Sequence, residues 1–246
     1  MNQKNSFGLN ICFLDLNDPI QLFKTWMDEA RKTEPNDPNA FSLATADKNG
    51  TPSVRIILLK DFGKHGFTFY TNLDSPKSLD IESNPKAEMC FYWKSLQRQV
   101  RVFGSINKVE DEIADKYFST RDYGSKIGAW ASEQSKILQN KNELLKRIDR
   151  FKKTYSENVN LPRPENWSGW ILEPTMIEFW LKGQNRIHER LRYNKESNNW
   201  IKNLLNPYKD LSRLKVVKFS RTFFSSESGN ILNELEARLI KCSAFL

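Results

Sequence analysis

AEMCFYWKSLQRQVRVFGSINKV, residues 87–109, is the stretch that decides the fold. Residues 87–93 and 97–109 read as two strands joined by a tight turn at Lys94 to Leu96. Strands linked this closely pair antiparallel, because a parallel pair needs a long crossover. More strands lie upstream. Residues 40–46 (AFSLATA) form a short apolar strand, and Asn49-Gly50 is a two-residue hairpin signal. Residues 52–60 (PSVRIILLK) read as a strand rich in β-branched residues. The chain turns from Gly63 to Gly66 and enters residues 67–72 (FTFYTN), where large apolar and polar residues alternate. Ser75-Pro76 reads as a cap and first helical residue, opening a short helix to about Ser83. Such a run predicts an antiparallel barrel or sandwich.

Helices flank this block. Residues 17–31 read as a helix capped by Asn17 or Asp18, with Pro19 in its first turn and Ile20, Phe23, Met27 and Ala30 on its core face. Residues 110–120 form another, with Ile113, Ala114, Tyr117 and Phe118 as its apolar side. Residues 127–132 are a short helix. Residues 138–155 are a long basic one with Leu144, Leu145, Ile148, Phe151 and Tyr155 as its buried stripe. Strands return at 169–172, 176–181 and 186–193. The expected class is mainly β with flanking helices (α+β). Residues 208–246 differ in character: a basic apolar stretch, a Ser-rich link and a helical-looking end fit either a docked helix or an extension.

The 246 residues carry a net charge of +8 with pI near 9.3, and 39% are hydrophobic, a globular composition with enough chain for a real core. No apolar run reaches the roughly 20 residues of a membrane helix, and the first 16 residues lack the basic start and cleavage site of a signal peptide. Three dispersed cysteines (Cys12, Cys90, Cys242) and two histidines (His65, His188) argue against a disulfide framework or a metal centre, and they fit a reducing, cytoplasmic setting.

Three constellations carry chemistry. In a strand, Arg186, His188, Arg190 and Arg192 would share one face, a row suited to an anionic ligand or to an exposed edge strand. Tyr117, Arg121 and Ser125 are spaced by four, so Tyr117 and Arg121 can share one helical face, as a phosphate clamp or as a packed tyrosine beside a surface arginine. Residues 55–60 (RIILLK), Tyr70-Thr71 and Lys77 at a helix start suggest an anion site, although a lone lysine there more often faces solvent. No GxGxxG, GxxxxGK[ST] or GxSxG motif is present.

The ordered set RIILLK (55–60), FYTN (69–72), QRQVRV (97–102), KYFSTR (116–121), SKIGAWASEQS (125–135) and IEFWLKGQNRIHER (177–190) resembles the pyridoxine/pyridoxamine 5′-phosphate oxidase family over residues 18–207. The resemblance implies an FMN-binding split β-barrel, a homodimer with FMN at its interface, a short N-terminal segment (1–17) and a C-terminal extension (208–246). It implies FMN-dependent oxidation of pyridoxine and pyridoxamine 5′-phosphate to pyridoxal 5′-phosphate, with dioxygen as acceptor and hydrogen peroxide as by-product. By resemblance, FMN is held by Arg55, Ile56, Ile57, Leu58, Lys60, Tyr70, Thr71, Lys77, Gln99, Gln134, Ser135, Trp180 and Arg190. The substrate phosphate is held by Lys60, Tyr117, Arg121 and Ser125, with Arg186 and His188 against the pyridine ring as catalytic residues. No metal, nucleic acid or membrane is implied. Two departures stand out: Pro76 occupies a position where the family usually has arginine, and Leu204 replaces an arginine of the family's C-terminal run. They leave two alternatives to the oxidase: a split barrel that binds FMN or pyridoxal phosphate without turnover and, from pI and aromatics, a nucleic-acid binder.

Overall fold

The computed structural model describes residues 3–157 and 160–207; the extension expected over 208–246 lies outside the described residues. The strands are β1 (Ala40–Ala46), β2 (Pro52–Leu58), β3 (Asp61–Gly63), β4 (Gly66–Asn72), β5 (Lys86–Trp93), β6 (Arg98–Lys108), β7 (Trp167–Leu181), β8 (Glu189–Glu196) and β9 (Asn199–Leu204). The helices are α1 (Pro19–Thr33), α2 (Pro76–Ser83), α3 (Asp111–Ser119), α4 (Tyr123–Ala131) and α5 (Lys141–Thr154).

All strand pairings are antiparallel, in the order β2-β1-β5-β6-β7-β4-β3, with β8 and then β9 added alongside β7. The sheet divides on β7. Its first half pairs with β4 through residues 167–172, and its second half pairs with β8 through residues 176–181. Pro174, which has no N–H to donate, lies in the handover, opposite a register shift at Phe103/Gly104. Gly104 is required there, since a Cβ would lie 1.9 Å from the Glu173 carbonyl oxygen. This is the physical form of the split barrel.

The core lies between the concave sheet face and α1. Asp18 caps α1 by accepting from the Ile20 N–H, and the helix buries Leu22, Phe23, Trp26, Met27 and Ala30 completely. Phe23 meets Phe62, Phe67, Phe91 and Trp93 at centroid distances of 4.9–6.0 Å. Arg98 enters this face with its charge paired to Glu29 at 2.6 Å and its guanidinium 4.7 Å above Trp26. The segment before α1 packs on the same body: Phe13 is fully buried, and Trp26 Nε1 donates to the Cys12 carbonyl.

Several sequence expectations are corrected. The Asn49-Gly50 hairpin is a five-residue loop in which Asp47 Oδ1 accepts from the N–H groups of Asn49 and Thr51, so an aspartate outcompetes the two-residue turn. Strand β2 stops at Leu58 rather than Lys60, because the Lys60 N–H turns away from β1 to the Thr68 carbonyl of β4. The turn from Gly63 to Gly66 is present, and the segment before it is a short strand, β3, paired with β4. Residues 169–172 and 176–181 are one strand, and β9 went unpredicted. Helix α1 runs two residues beyond expectation to Thr33. On α3, Ile113 is exposed while Ala114 and Phe118 are buried.

Helix α4 starts at Tyr123, four residues early, because Asp122 accepts from the Ser125 N–H as its N-cap. Arg121 therefore lies between two helices and shares no helical face with Tyr117. Helix α5 buries no side chain fully; Leu145 is exposed, and Leu144, Ile148 and Phe151 are half-buried where it packs on α4. The expected strand 186–193 begins only at Glu189, and residues 184–186 form a 3-10 turn instead.

Candidate active site

A cleft of about 850 Å³ opens at the β2–β4 side of the barrel, where α2 and the α3–α4 connection close over the sheet. Strand β2 contributes Arg55, Ile56, Ile57 and Leu58, and Lys60 follows two residues beyond it; β4 contributes Tyr70 and Thr71; α2 contributes Lys77. Tyr117, Arg121 and Ser125 enter from α3, the connection and α4, and Gln134 and Ser135 from the chain after α4. Every predicted substrate-phosphate residue is here, along with ten of the thirteen predicted cofactor residues.

Lys77 is buried, with only 8% of its surface exposed. Its ammonium donates to Thr71 Oγ1 (2.9 Å), Ser75 Oγ (2.7 Å) and Gln134 Oε1 (3.2 Å). All three partners are neutral, and no carboxylate lies within 4 Å of it among the described residues. Burial, reinforced by the Arg55 cation, pushes its pKa down to about 8. A buried charge without a counter-ion is costly, and an anion in the cleft would relieve that cost. Ser75 takes the N-cap position of α2 with Pro76 following, as expected, but its hydroxyl bonds no helix N–H: it donates to the Asn72 carbonyl and accepts from Lys77.

Arg55 is held in place from behind. Its guanidinium donates to Thr45 Oγ1 (2.7 Å), the Leu43 carbonyl (3.2 Å) and Ser53 Oγ. Both hydroxyls in turn donate to Asp80 Oδ2 at 2.7 Å, so two hydroxyl bridges tie the arginine to one carboxylate of α2. Arg121 is the third fixed cation. It lies 4.8 Å from the Trp167 ring centre and 5.6 Å from that of Phe118, and its Nη1 is buried without a hydrogen-bond partner among the described residues. The rings of Tyr70, Tyr117 and Trp167 lie within 10° of parallel, with Tyr70 and Tyr117 stacked at 3.9 Å. This is a flat aromatic wall beside fixed cations.

The remaining predicted residues, Gln99, Trp180, Arg186, His188 and Arg190, do not line this cleft. Tyr92, Gln99, Trp180 and Arg190 form one cross-strand row over β5, β6, β7 and β8, on the face opposite the core. Beside them, Glu178 is 3% exposed and receives both Nε and Nη2 of Arg190 at 2.9 and 2.7 Å. Arg186 and His188 are not in the strand row that their spacing suggested. They sit on a tight loop in which Asn185 and Arg186 have φ of +52° and +62°. Gly183 makes this loop possible, because a Cβ there would lie 1.7 Å from the Ile187 carbonyl oxygen. Non-glycine residues in the left-handed region are strained, and such strain concentrates at working sites.

Sequence reasoning missed Thr45, Ser53, Asp80 and Trp167. A partial signal existed for Asp80, which follows Lys77 by three residues on a helix and so shares its side. Thr45 and Ser53 become neighbours only once the β1–β2 register is known.

An antiparallel split barrel with an anion-seeking cleft at its edge defines a class of fold shared with solved structures. PhzG from Burkholderia lata 383, solved with tetrahydrophenazine-1-carboxylic acid, superposes with a TM-score of 0.75 at 29% identity, covering 80% of this chain and 96% of that one. A pyridoxamine 5′-phosphate oxidase-related, FMN binding protein from Nostoc punctiforme shares the fold at 16% identity, TM-score 0.63, covering 77% and 98%. The family described as Pyridoxamine 5′-phosphate oxidase matches residues 27–155, and the Pyridoxine 5′-phosphate oxidase C-terminal dimerisation region matches residues 167–207. A pyridoxine/pyridoxamine 5′-phosphate oxidase of Pelagibacter ubique is 61% identical over 208 residues, covering 84% of this chain and all of the relative. One from Allorhizobium ampelinum is 48% identical over 185 residues, covering 75% and 89%. The chain belongs to the pyridoxine/pyridoxamine 5′-phosphate oxidase family and is an oxidoreductase of that kind.

Proposed function

We propose that this protein oxidises pyridoxine 5′-phosphate and pyridoxamine 5′-phosphate to pyridoxal 5′-phosphate with bound FMN, dioxygen taking the electrons and leaving as hydrogen peroxide. The observation that carries this reading is the pair of cations in one cleft that make no salt bridge among the described residues, Lys77 and Arg121, whose Nη1 also lacks a hydrogen-bond partner there. A flavin phosphate and a substrate phosphate are two dianions, and the cleft offers a fixed cation to each. The residues fit FMN: the Lys77 ammonium has only neutral partners, and Arg55 is anchored beside it. Arg55, Lys77, Thr71, Gln134 and Ser135 would hold the cofactor, with residues 56–58 along its edge. Lys60, Arg121, Tyr117 and Ser125 would hold the substrate phosphate.

When bound, the flavin would supply the hydride acceptor for the substrate C4′ carbon and the route to dioxygen. The residues of this chain bind, orient and polarise. Fixing the phosphate to Arg121 and the ring against Tyr70 and Tyr117 turns an encounter into an oriented complex. Arg186 would face the pyridine ring and stabilise charge developing on it, with His188 beside it. For the amine substrate the balance is amine, dioxygen and water to aldehyde, ammonia and hydrogen peroxide.

The separation of Trp180, Arg186, His188 and Arg190 from the cleft supports a homodimer in which one protomer's loop completes its partner's cleft. The match of residues 167–207 to a dimerisation region supports the same reading. Pro76, on the cleft wall, supplies neither a cation nor an N–H, so Lys77 and Arg55 carry more of the cofactor phosphate.

The test is the visible spectrum of the purified, FMN-reconstituted protein, with pyridoxamine 5′-phosphate added without oxygen. Bleaching that returns with air, together with peroxide, is the expected result. A flavin spectrum that stays unchanged would leave a binding protein and end the oxidase reading.

A further inference from the structure

We propose that His188 is a positioning residue for Arg186: its Nδ1 accepts the Gly183 N–H, and in doing so it holds closed the loop that presents the arginine. The inference deepens the oxidase reading and rests on it for the role of Arg186. Gly183 N–H donates to His188 Nδ1 at 3.2 Å, across the base of residues 183–188. Within the loop, Ile187 N–H donates to the Gln184 carbonyl and His188 N–H to the Arg186 carbonyl, both at 3.0 Å. The ring also packs on Trp180, with centroids 4.6 Å apart. These contacts pin both ends of the segment whose tip holds Arg186 at positive φ.

The hydrogen bond sets the tautomer. An imidazole nitrogen that accepts a backbone N–H carries no proton, so the neutral ring keeps its proton on Nε2. A general base working through Nε2 would need the other tautomer, which would point Nδ1–H at Gly183 N–H, donor against donor. The Gly183 backbone approaches the Ile187 carbonyl so closely that any Cβ would clash, so the approach that aims its N–H at the ring is specific to glycine. Protonation breaks the brace in the same way.

The charged groups around the ring all favour the neutral form. Burial first, then the cations Arg186 on the loop, Lys182 after β7 and Arg190 on β8, hold the pKa of His188 below its usual 6.5. Glu189, the nearby carboxylate, is engaged by Lys4 and the Asn10 N–H. The brace is therefore present above pH 6.5 and is lost as pH falls through the lowered pKa.

The full chain has two histidines, so 15N-labelled imidazole NMR of the whole FMN-loaded protein is readable, with His65→Gln assigning the pair. The expected result is a neutral His188 with a bare Nδ1 and a protonated Nε2. A ring protonated at Nδ1 would overturn the proposal, whatever the activity. Two variants test the link to Arg186. In His188→Asn, Oδ1 can stand where Nδ1 stood and accept from Gly183; in His188→Gln, the amide reaches the Nε2 position instead. At pH 8, His188→Asn should keep kcat about tenfold above His188→Gln, the worth of one hydrogen bond. It should also lose the acid limb of the wild-type kcat profile. The reverse ranking would mean that Nε2 acts directly and would overturn the brace. Absence of turnover in the wild type would instead count against the oxidase reading, while the tautomer would still be read from the same sample.

Discussion

The cleft and the 183–188 loop solve opposite problems. In the cleft, two cations are fixed on regular elements, Arg55 on β2 with Asp80 behind it and Lys77 in the first turn of α2, and a third, Arg121, lies between α3 and α4 against Trp167 of β7. Nothing there needs an unusual backbone among the residues that supply the cations. On the loop, Arg186 is held at positive φ, and a glycine and a histidine are used to keep it there. Holding a phosphate needs charge at a fixed place, which a strand or helix provides at no conformational cost. On the proposed reading, Arg186 must be presented to a flat ring in a direction that regular elements do not offer, and the strained loop would supply it.

If this division holds, the two regions should fail differently. The largest effect is expected at the loop: Arg186→Ala should lower kcat by about 10²–10³-fold with a smaller change in KM, the size seen when a stabilising donor is removed. A change confined to KM would erase the distinction. Arg121→Gln should do the converse, raising KM for the phosphorylated substrate by about 10–100-fold, the worth of a charge-assisted hydrogen bond, with kcat nearly kept. Equal losses in both parameters would show that phosphate binding and orientation are one event.

Lys77 sharpens the comparison through pH. In the free protein its pKa is about 8, and an anion beside it must raise that value. FMN affinity should therefore fall as pH rises through 8, by at most about tenfold per unit, and Lys77→Met should bind weakly with a flat profile. Flavin fluorescence titrations from pH 6 to 10 would check this, and a wild-type affinity independent of pH would remove Lys77 from the phosphate. The smallest effect is expected at Asp80→Asn, which leaves both hydroxyl bridges a weaker acceptor: a severalfold rise in the FMN dissociation constant, absent in an Arg55→Ala background. An equal loss in both backgrounds would give Asp80 a role apart from Arg55.

Particular residues show where sequence reading succeeds. Residues 40–46 were legible to the residue, and 86–108 to within a residue or so, because alternation and a short connection are local signals. The cleft residues were legible as a resemblance, and most of them meet in one place. The stretch 186–193 misled, since its alternating charges imitate a strand while the backbone before Glu189 is too tightly turned to be one. Arg121 misled likewise: spacing by four implied one helix, and Asp122 ended that continuity by capping the next.

The sequence alone determined the antiparallel meander, the helices around it, the family and the identity of the cations. These rest on periodicity, capping and residue type, which act over a few neighbours. Only the tertiary structure decided that β7 passes from β4 to β8 at Pro174, that Lys77 meets Gln134 across 57 residues without a carboxylate, and that the loop of Arg186 stands apart from the cleft. Desolvation, partners and strain are properties of groups brought together from distant parts of the chain, and no local pattern encodes them.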